Sequence, residues 1–255
     1  MLRFIDNGGV QLCVEERGAG PRHVLFLHGW ISARRMWYDV ADRLDAGRFT
    51  LHLLDFRGSG LSDRPNSGHD LYGYVSDARA ALAAIGAPVL LVGHSMGGKV
   101  AQYLASERPA NLDKLLLVAP GTASGGKSSP RHRDHAMQTY GSRRKIEAYQ
   151  RAAMTRPVDA AAMERIVDDA LVSQLEHWSG WYDNGRFIDF ADRLKQISVP
   201  VLCIGGAEDP VVPPSRLRRN VAQMVPGCVL VTLRDAGHNL PVEAPAEIAQ
   251  AIESW

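Results

Sequence analysis

Short runs of consecutive apolar residues alternate along the chain with longer stretches in which apolar positions recur at helical spacing. Val24-Leu25-Phe26-Leu27, Phe49 to Leu54, Val89 to Val92, Lys114 to Ala119, Val199 to Gly206 and Cys228 to Leu233 have strand length. Met36 to Leu44, Leu71 to Ile85, Val100 to Leu104, Pro214 to Val225 and Ala244 to Ser254 carry helical spacing instead. At the start, Leu2 to Ile5 and Val10 to Glu16 flank Asp6-Asn7-Gly8-Gly9, a turn-forming stretch that predicts a β-hairpin. Strands that alternate with helices predict an α/β fold on a mainly parallel, twisted sheet flanked by helices. In such a sheet functional residues gather at the carboxyl ends of the strands.

The rhythm breaks once. After Pro120 comes a Gly/Ser-rich stretch, Gly121 to Pro130, and from Arg131 to about Ile197 the pattern is helical with no convincing strand. The strand–helix alternation then resumes. This arrangement predicts one core made of residues 1–120 and 197–255, with a helical insertion of residues 121–196 after the sixth strand, rather than two independent domains.

Composition narrows the picture by exclusion. The 255 residues are 45% hydrophobic and 22% charged with a formal net charge of +1, so no global charge points to nucleic acid. The N-terminus has no long apolar region, no later run approaches membrane-spanning length, and a cytoplasmic location is the expectation. Cys13, Cys203 and Cys228 are odd in number and far apart. Neither a disulfide framework nor a zinc site is indicated, and no metal or cofactor is expected. Cys203 reads as core filler.

The candidate chemistry centres on Pro88-Val89-Leu90-Leu91-Val92-Gly93-His94-Ser95-Met96-Gly97-Gly98-Lys99. An apolar strand runs into G-x-S-x-G and a helical pattern follows, which places Ser95 on a sharp strand-to-helix turn as a nucleophile. Such a turn strains the serine backbone and requires neighbours without bulk, here Gly93 and Gly97. The Met96 amide, at the first turn of the helix, points where an oxyanion would form. Nine histidines compete to serve Ser95. His94 is its neighbour, but adjacent side chains at such a turn diverge, so His94 reads as structural. His132, His135 and His177 lie in the insertion, and His23, His52 and His69 have no supporting context. His238 follows a strand by a short loop in which Gly237 allows a turn that aims the ring.

Taken jointly, His28-Gly29-Trp30, the loop Asp55 through Asp63, the Ser95 turn, Gly205-Gly206-Ala207-Glu208-Asp209-Pro210 and Ala236-Gly237-His238 resemble the α/β-hydrolase family over essentially the whole predicted core. The resemblance implies a lid where the insertion falls and a Ser…Asp…His order that makes His238 the base and Asp209 the acid. Glu208 stays open as its solvated neighbour or as the acid itself. No carboxylate lies in Leu115 to Thr122, which argues against an acid drawn from the strand after the turn. His28 is implied to brace its loop, and the Trp30 backbone amide to be the second oxyanion donor. The Trp30 ring either walls an acyl pocket or packs under the lid. The Asp55 to Asp63 loop reads as structural, with Asp55, Arg57 and Asp63 pairing with backbone groups and with one another.

A serine at the turn disfavours dehalogenase and epoxide hydrolase relatives, which attack with a carboxylate, and points to an acyl-enzyme. Carboxylic ester hydrolysis of a small molecule is the expected activity. Thioester cleavage, acyl transfer and C–C bond hydrolysis use the same three residues, and ligand-binding receptors and cofactor-free dioxygenases share the fold. Trp30, Trp178, Trp181 and Tyr182 are the expected substrate-binding residues. The stretch Phe49 to Asp55 following His28-Gly29-Trp30 is also similar to esterases that demethylate pimeloyl-carrier-protein methyl ester, which read an acidic acyl-carrier protein through a basic lid. Here eight cations, Lys127, Arg131, Arg133, Arg143, Arg144, Lys145, Arg151 and Arg156, face only Asp134 and Glu147. A basic, solvated helix surface explains the same run.

Overall fold

The structure, a computed structural model, describes residues 1–125 and 130–255, with side chains from 133 onward in the second part. Lys127 therefore lies outside the described residues, as do the side chains of Arg131 and His132. Eight strands form one sheet: β1 (Leu2–Asp6), β2 (Gln11–Gly18), β3 (Arg22–Leu27), β4 (Phe49–Leu54), β5 (Val89–His94), β6 (Leu112–Val118), β7 (Val201–Gly206) and β8 (Val229–Leu233), in the order β1-β2-β4-β3-β5-β6-β7-β8. β1 and β2 form the hairpin, β2 pairs antiparallel with β4, and every pairing from β4 to β8 is parallel.

The uninterrupted apolar runs have a direct cause. Side chains alternate between the two faces of a strand, and helices cover both faces here. Leu115 and Leu117 of β6 join one core with Leu25, Leu27 and Leu91. Leu116 and Val118 join the other with Val24, Phe26 and Val92. Both faces must be apolar, so the period of two disappears from the sequence. At the edge, β8 leaves Val229 and Val231 exposed.

The first core is closed by α2 (Leu71–Ile85) and α3 (Met96–Ser106), through Tyr74, Val75, Val100 and Leu104. α2 has the predicted bounds because both ends are chemically marked. The Asp70 carboxylate accepts from the Gly73 amide at 2.9 Å, and Gly86 ends the helix in the left-handed region at φ 68°. The second core is closed by the short α1 (Tyr38–Ala41) and by α9 (Leu240–Glu243) and α10 (Pro245–Ser254).

Two predicted helices are broken. Met36 to Leu44 becomes a 3-10 turn, Arg34–Trp37, followed by the four residues of α1. Trp37, Val40, Ala41 and Leu44 are all buried, so packing rather than helix length satisfies the segment. Pro214 to Val225 divides into α8 (Pro214–Leu217) and a π-turn, Arg218–Ala222. Leu217, Val221 and Val225 nevertheless reach the core together.

Between β6 and β7 the described residues form α4 (Pro130–Met137), α5 (Arg143–Arg151), α6 (Ala160–Val172) and α7 (Leu175–Asp183), then 3-10 turns at Gly185–Phe187 and Ala191–Gln196, and no strand. The cation excess expected along this stretch is smaller in three dimensions. Arg133 pairs with Asp183, Arg143 with Asp168, Arg151 with Glu147 and Arg156 with Glu247. Three of those four acids lie outside the stretch over which the sequence looks basic.

Candidate active site

β5 delivers Ser95 at the carboxyl edge of the sheet, in the left-handed region at φ 48° and ψ −111°. A non-glycine residue there costs on the order of 1–3 kcal/mol and persists only where its surroundings over-determine it. The surroundings do. The Ser95 amide donates to the Val118 carbonyl of β6 at 3.1 Å, the Gly97 amide donates to the His28 carbonyl at 3.1 Å, and the Ser95 carbonyl accepts from Gly121 at 2.8 Å. Gly93 and Gly97 are required by contact rather than by φ. A Cβ on Gly93 would lie 2.5 Å from the Gly97 carbonyl oxygen, and one on Gly97 would lie 2.5 Å from that of Leu27.

His238 and Asp209 arrive from the loops after β8 and β7. Asp209 is buried, and its Oδ1 accepts from the amides of Val211 at 2.7 Å and Val212 at 2.9 Å. Its Oδ2 accepts from His238 Nδ1 at 2.8 Å. Burial pushes the Asp209 carboxyl upward, but the His238 ring beside it and the donated hydrogen bonds outweigh that and hold it below the ordinary carboxylate range. With its proton on Nδ1, His238 turns the Nε2 lone pair to the Ser95 hydroxyl, 2.9 Å away. Glu208, the neighbouring carboxylate, is exposed and has no part in this chain of contacts.

Gly237 works differently from the expectation. Its place is set by close approach, since a Cβ there would lie 2.5 Å from the Ala153 carbonyl oxygen and 2.9 Å from Met154 Cα. The end of α5 and the residues after it therefore press on the loop that carries His238. The His238 amide donates to the Ala153 carbonyl at 2.7 Å. Buried Glu243 ties the same contact together, its Oε2 accepting from Gly237 and Thr155 at 2.9 and 2.8 Å, and its Oε1 from Asn239 at 2.9 Å. Sequence reasoning missed Glu243, because one of the amides it collects, that of Thr155, lies 88 residues away from it.

The remaining histidines fall into place around this chain. His94 Nε2–H donates to the His238 carbonyl at 2.9 Å, and burial, with His238 close by, lowers its pKa to about 3, so the ring is neutral. His28 Nδ1–H donates to the Gly29 carbonyl at 2.7 Å, and its Nε2 accepts from the Phe56 amide at 3.1 Å. It thereby joins the loop after β3 to the loop after β4. In that second loop the expected pairing with backbone groups is present, Asp55 Oδ2 accepting from the Leu61 amide at 2.9 Å, but among the described contacts Asp55, Arg57 and Asp63 do not pair with one another. Asp55 binds Arg34, Arg57 binds Asp77, and Asp63 accepts from the Gln11 amide at 2.8 Å.

The amides of Trp30 and Met96 carry no hydrogen bond among the described residues. Ile31, just after Trp30, sits at φ 49°, a second strained position at this edge. A cavity of about 150 Å³ opens beside Ser95, about the size that accommodates a benzene ring. Trp30, Met96, Trp181 and Tyr182 line it. Trp178, expected beside them, does not. It is fully buried behind Trp30, whose ring centroid is 5.3 Å away and whose Nε1–H donates to the Trp178 carbonyl at 3.1 Å. Three cations also line the cavity, Lys99, Arg186 and Arg216, and the sequence reading singled out none of them. Only Lys99 carried a local signal, being one helical turn after Ser95.

The chain matches the alpha/beta hydrolase family over residues 24–251, and it belongs to that family. It is 28% identical over 243 residues to the non-heme chloroperoxidase of Streptomyces lividans, covering 87% of each chain. It is 26% identical over 259 residues to the pimeloyl-[acyl-carrier protein] methyl ester esterase of Aeromonas hydrophila, covering 96% of this chain and 99% of the relative. An esterase from Exiguobacterium antarcticum superposes with a TM-score of 0.91 at 21% identity, covering 100% of this chain and 98% of the other. No described helix is long and apolar enough to cross a membrane.

Proposed function

We propose that the chain is a serine hydrolase that cleaves a small carboxylic ester through an acyl-enzyme, with Ser95 as nucleophile, His238 as general base and Asp209 as the acid that orients and supports it. The observation that carries the reading is the continuous hydrogen-bonded line from Asp209 Oδ2 through His238 to a strained Ser95. Ser95 Oγ attacks the ester carbonyl carbon as its proton passes to His238 Nε2, and the tetrahedral oxyanion is received by the Trp30 and Met96 amides. Collapse breaks the bond to the alcohol, which leaves with the proton from His238. Water, deprotonated by the same Nε2, then attacks the acyl-serine and releases the acid with Ser95 restored.

The helices between β6 and β7 act as a cap in this proposal, since Tyr149, Trp181 and Tyr182 come from them to wall the cavity over Ser95. The substrate is a small ester rather than an ester on an acidic carrier. Four of the cations that would read a carrier already hold acids of the chain, and of the described ones only Arg144 and Lys145 have no ion pair.

Stoichiometric labelling by a fluorophosphonate, with turnover of short p-nitrophenyl esters, tests the reading. Ser95→Ala abolishes the labelling, and Ser95→Ala and His238→Ala each remove nearly all turnover. The double variant is little worse than either single one, because the members act as a unit. Additive losses would break the assignment. A protein that neither labels nor turns over esters would be a ligand-binding receptor, and oxygen uptake with a heteroaromatic substrate would make it a dioxygenase.

A further inference from the structure

The charge inside the cavity is one-sided. Lys99, Arg186 and Arg216 line it together with Ser95, and among the described residues no aspartate or glutamate does. Lys99 Nζ donates to the carbonyls of Arg186 at 3.0 Å and Ile188 at 2.7 Å, and among the described residues its third ammonium hydrogen has no acceptor. The two arginines are less satisfied. Both are half-buried, and among the described residues neither guanidinium has a hydrogen-bond acceptor or an ion pair. Every other described arginine side chain that is not exposed gives its guanidinium an oxygen of the chain.

The exception is confined to the walls of one cavity. Arg186 is moreover held in place, its guanidinium lying 4.6 Å from the centroid of the Tyr182 ring. The carboxylate nearest to Lys99 in effect, Asp189, is exposed and spends one oxygen on the Ala191 amide at 3.0 Å. Three like charges around one cleft repel one another and disfavour a neutral occupant's desolvation of them. An anion removes both costs at once, and a planar carboxylate matches a guanidinium fork with two parallel hydrogen bonds.

We propose that the substrate carries a free carboxylate in addition to its scissile ester, and that Arg186 and Arg216, backed by Lys99, hold that carboxylate while the ester lies at Ser95. The proposal rests on the serine esterase reading of the same site. It separates that activity into two roles: Ser95 selects the bond, and the cationic wall selects the molecule.

Paired substrates test it. On the acyl side, mono-p-nitrophenyl glutarate is compared with p-nitrophenyl pentanoate. On the alcohol side, 4-acetoxybenzoate is compared with phenyl acetate. The readout is the ratio of kcat/KM for the anionic ester to that for the neutral one, taken in the wild-type protein and in Arg186→Gln/Arg216→Gln. Differences in intrinsic reactivity cancel when the two ratios are compared. The ratio falls about 10- to 100-fold in the double variant for at least one pair, chiefly through KM, as loss of charge-assisted hydrogen bonds requires. Arg216→Lys keeps only part of it, because the charge remains while the two parallel hydrogen bonds are lost, and Arg216→Glu lowers it further. The pair that responds identifies the side of the ester that carries the carboxylate. A ratio unchanged within twofold for both pairs, in the double variant and in Arg216→Glu, overturns the proposal. Failure of the esterase reading looks different, with no labelling and no turnover in the wild-type protein. In that event calorimetry with glutarate alone still decides: binding to wild type that the double variant loses sustains the anion site, and no binding at millimolar glutarate removes it.

Discussion

The carboxyl edge of the sheet and the helical segment between β6 and β7 face each other across one cavity, and they are held by different means. At the edge, Ser95, Asp209 and His238 sit on backbone fixed by main-chain hydrogen bonds, and strain is tolerated at Ser95 because those bonds over-determine the chain there. The segment is fastened largely by side chains: ion pairs such as Arg133–Asp183 and Arg143–Asp168 outside, and the rings of Trp30, Tyr149, Trp178 and Tyr182 inside. Atoms that must meet within tenths of an ångström lie on the rigid side. Walls that only need shape and charge lie on the side where a residue can change without moving a strand. Several contacts stitch the two together, among them Arg35–Asp169 and Arg165–Asp39, and one of them reaches the site itself, where Glu243 and the Ala153 carbonyl grip the loop of His238.

The largest expected effect falls on the rigid side. Asp209→Asn keeps the loop but presents an amide to His238 Nδ1, which disturbs the ring's tautomer, and turnover drops by about 10⁴ if the behaviour of serine proteases transfers. Glu208→Gln, one residue away and exposed, changes turnover little. Steady-state kinetics on both variants read this directly, and a reversed order would mean that the edge is organised around the wrong carboxylate.

A smaller effect is expected on the wall. Trp181→Ala changes relative kcat/KM among acyl lengths by about 10- to 200-fold, the range that apolar pocket contacts deliver. Trp178→Ala leaves that preference nearly flat and instead costs about 3–5 kcal/mol of stability, because its ring is in the core and not in the cavity. An acyl-length panel with urea denaturation separates the two, and equal selectivity shifts would erase the distinction between wall and core.

The third effect builds up with pH and asks whether the two regions come apart. Burial, with His238 nearby, holds His94 at about 3, and burial, with His28 and His69 nearby, holds His177 of α7 well below its ordinary value. Both rings bind more protons in the unfolded chain, so stability is full above pH 6.5 and is lost as pH falls below it toward the folded values. Each contributes about 1.4 kcal/mol per pH unit in that window. Urea midpoints at pH 7 and 5 measure the loss, and a flat profile contradicts it. With one ring on each side of the cavity, tryptophan fluorescence and far-ultraviolet circular dichroism shift together. An earlier fluorescence change would mean that the segment opens by itself.

Much of the fold was legible in the chain. β4 and α2 have the bounds read from the sequence, and the hairpin, the Ser95 turn and the helical stretch between β6 and β7 were all marked locally by apolar runs, glycines and caps. The structure also brings Ser95, His238 and Asp209 within hydrogen-bond reach. Legibility failed where the deciding partner was distant. Arg57 looked as if it belonged with its loop but pairs with Asp77 on α2, and the basic stretch was read without Asp168, Asp183 and Glu247.

Sequence by itself determined the order of strands and helices and the residue types that meet at the sheet edge, because unbroken apolar runs, helical spacing and turn-forming glycines are each written within a few neighbouring positions. Tertiary structure alone decided which aromatic faces the cavity and which is core, since Trp178 and Trp181 lie three residues apart on one helix and differ only in what packs against them. It alone decided the charge of the cavity as well. Lys99, Arg186 and Arg216 come from α3, the turn after α7 and α8, and a field arises from their positions in space, which no window of sequence contains.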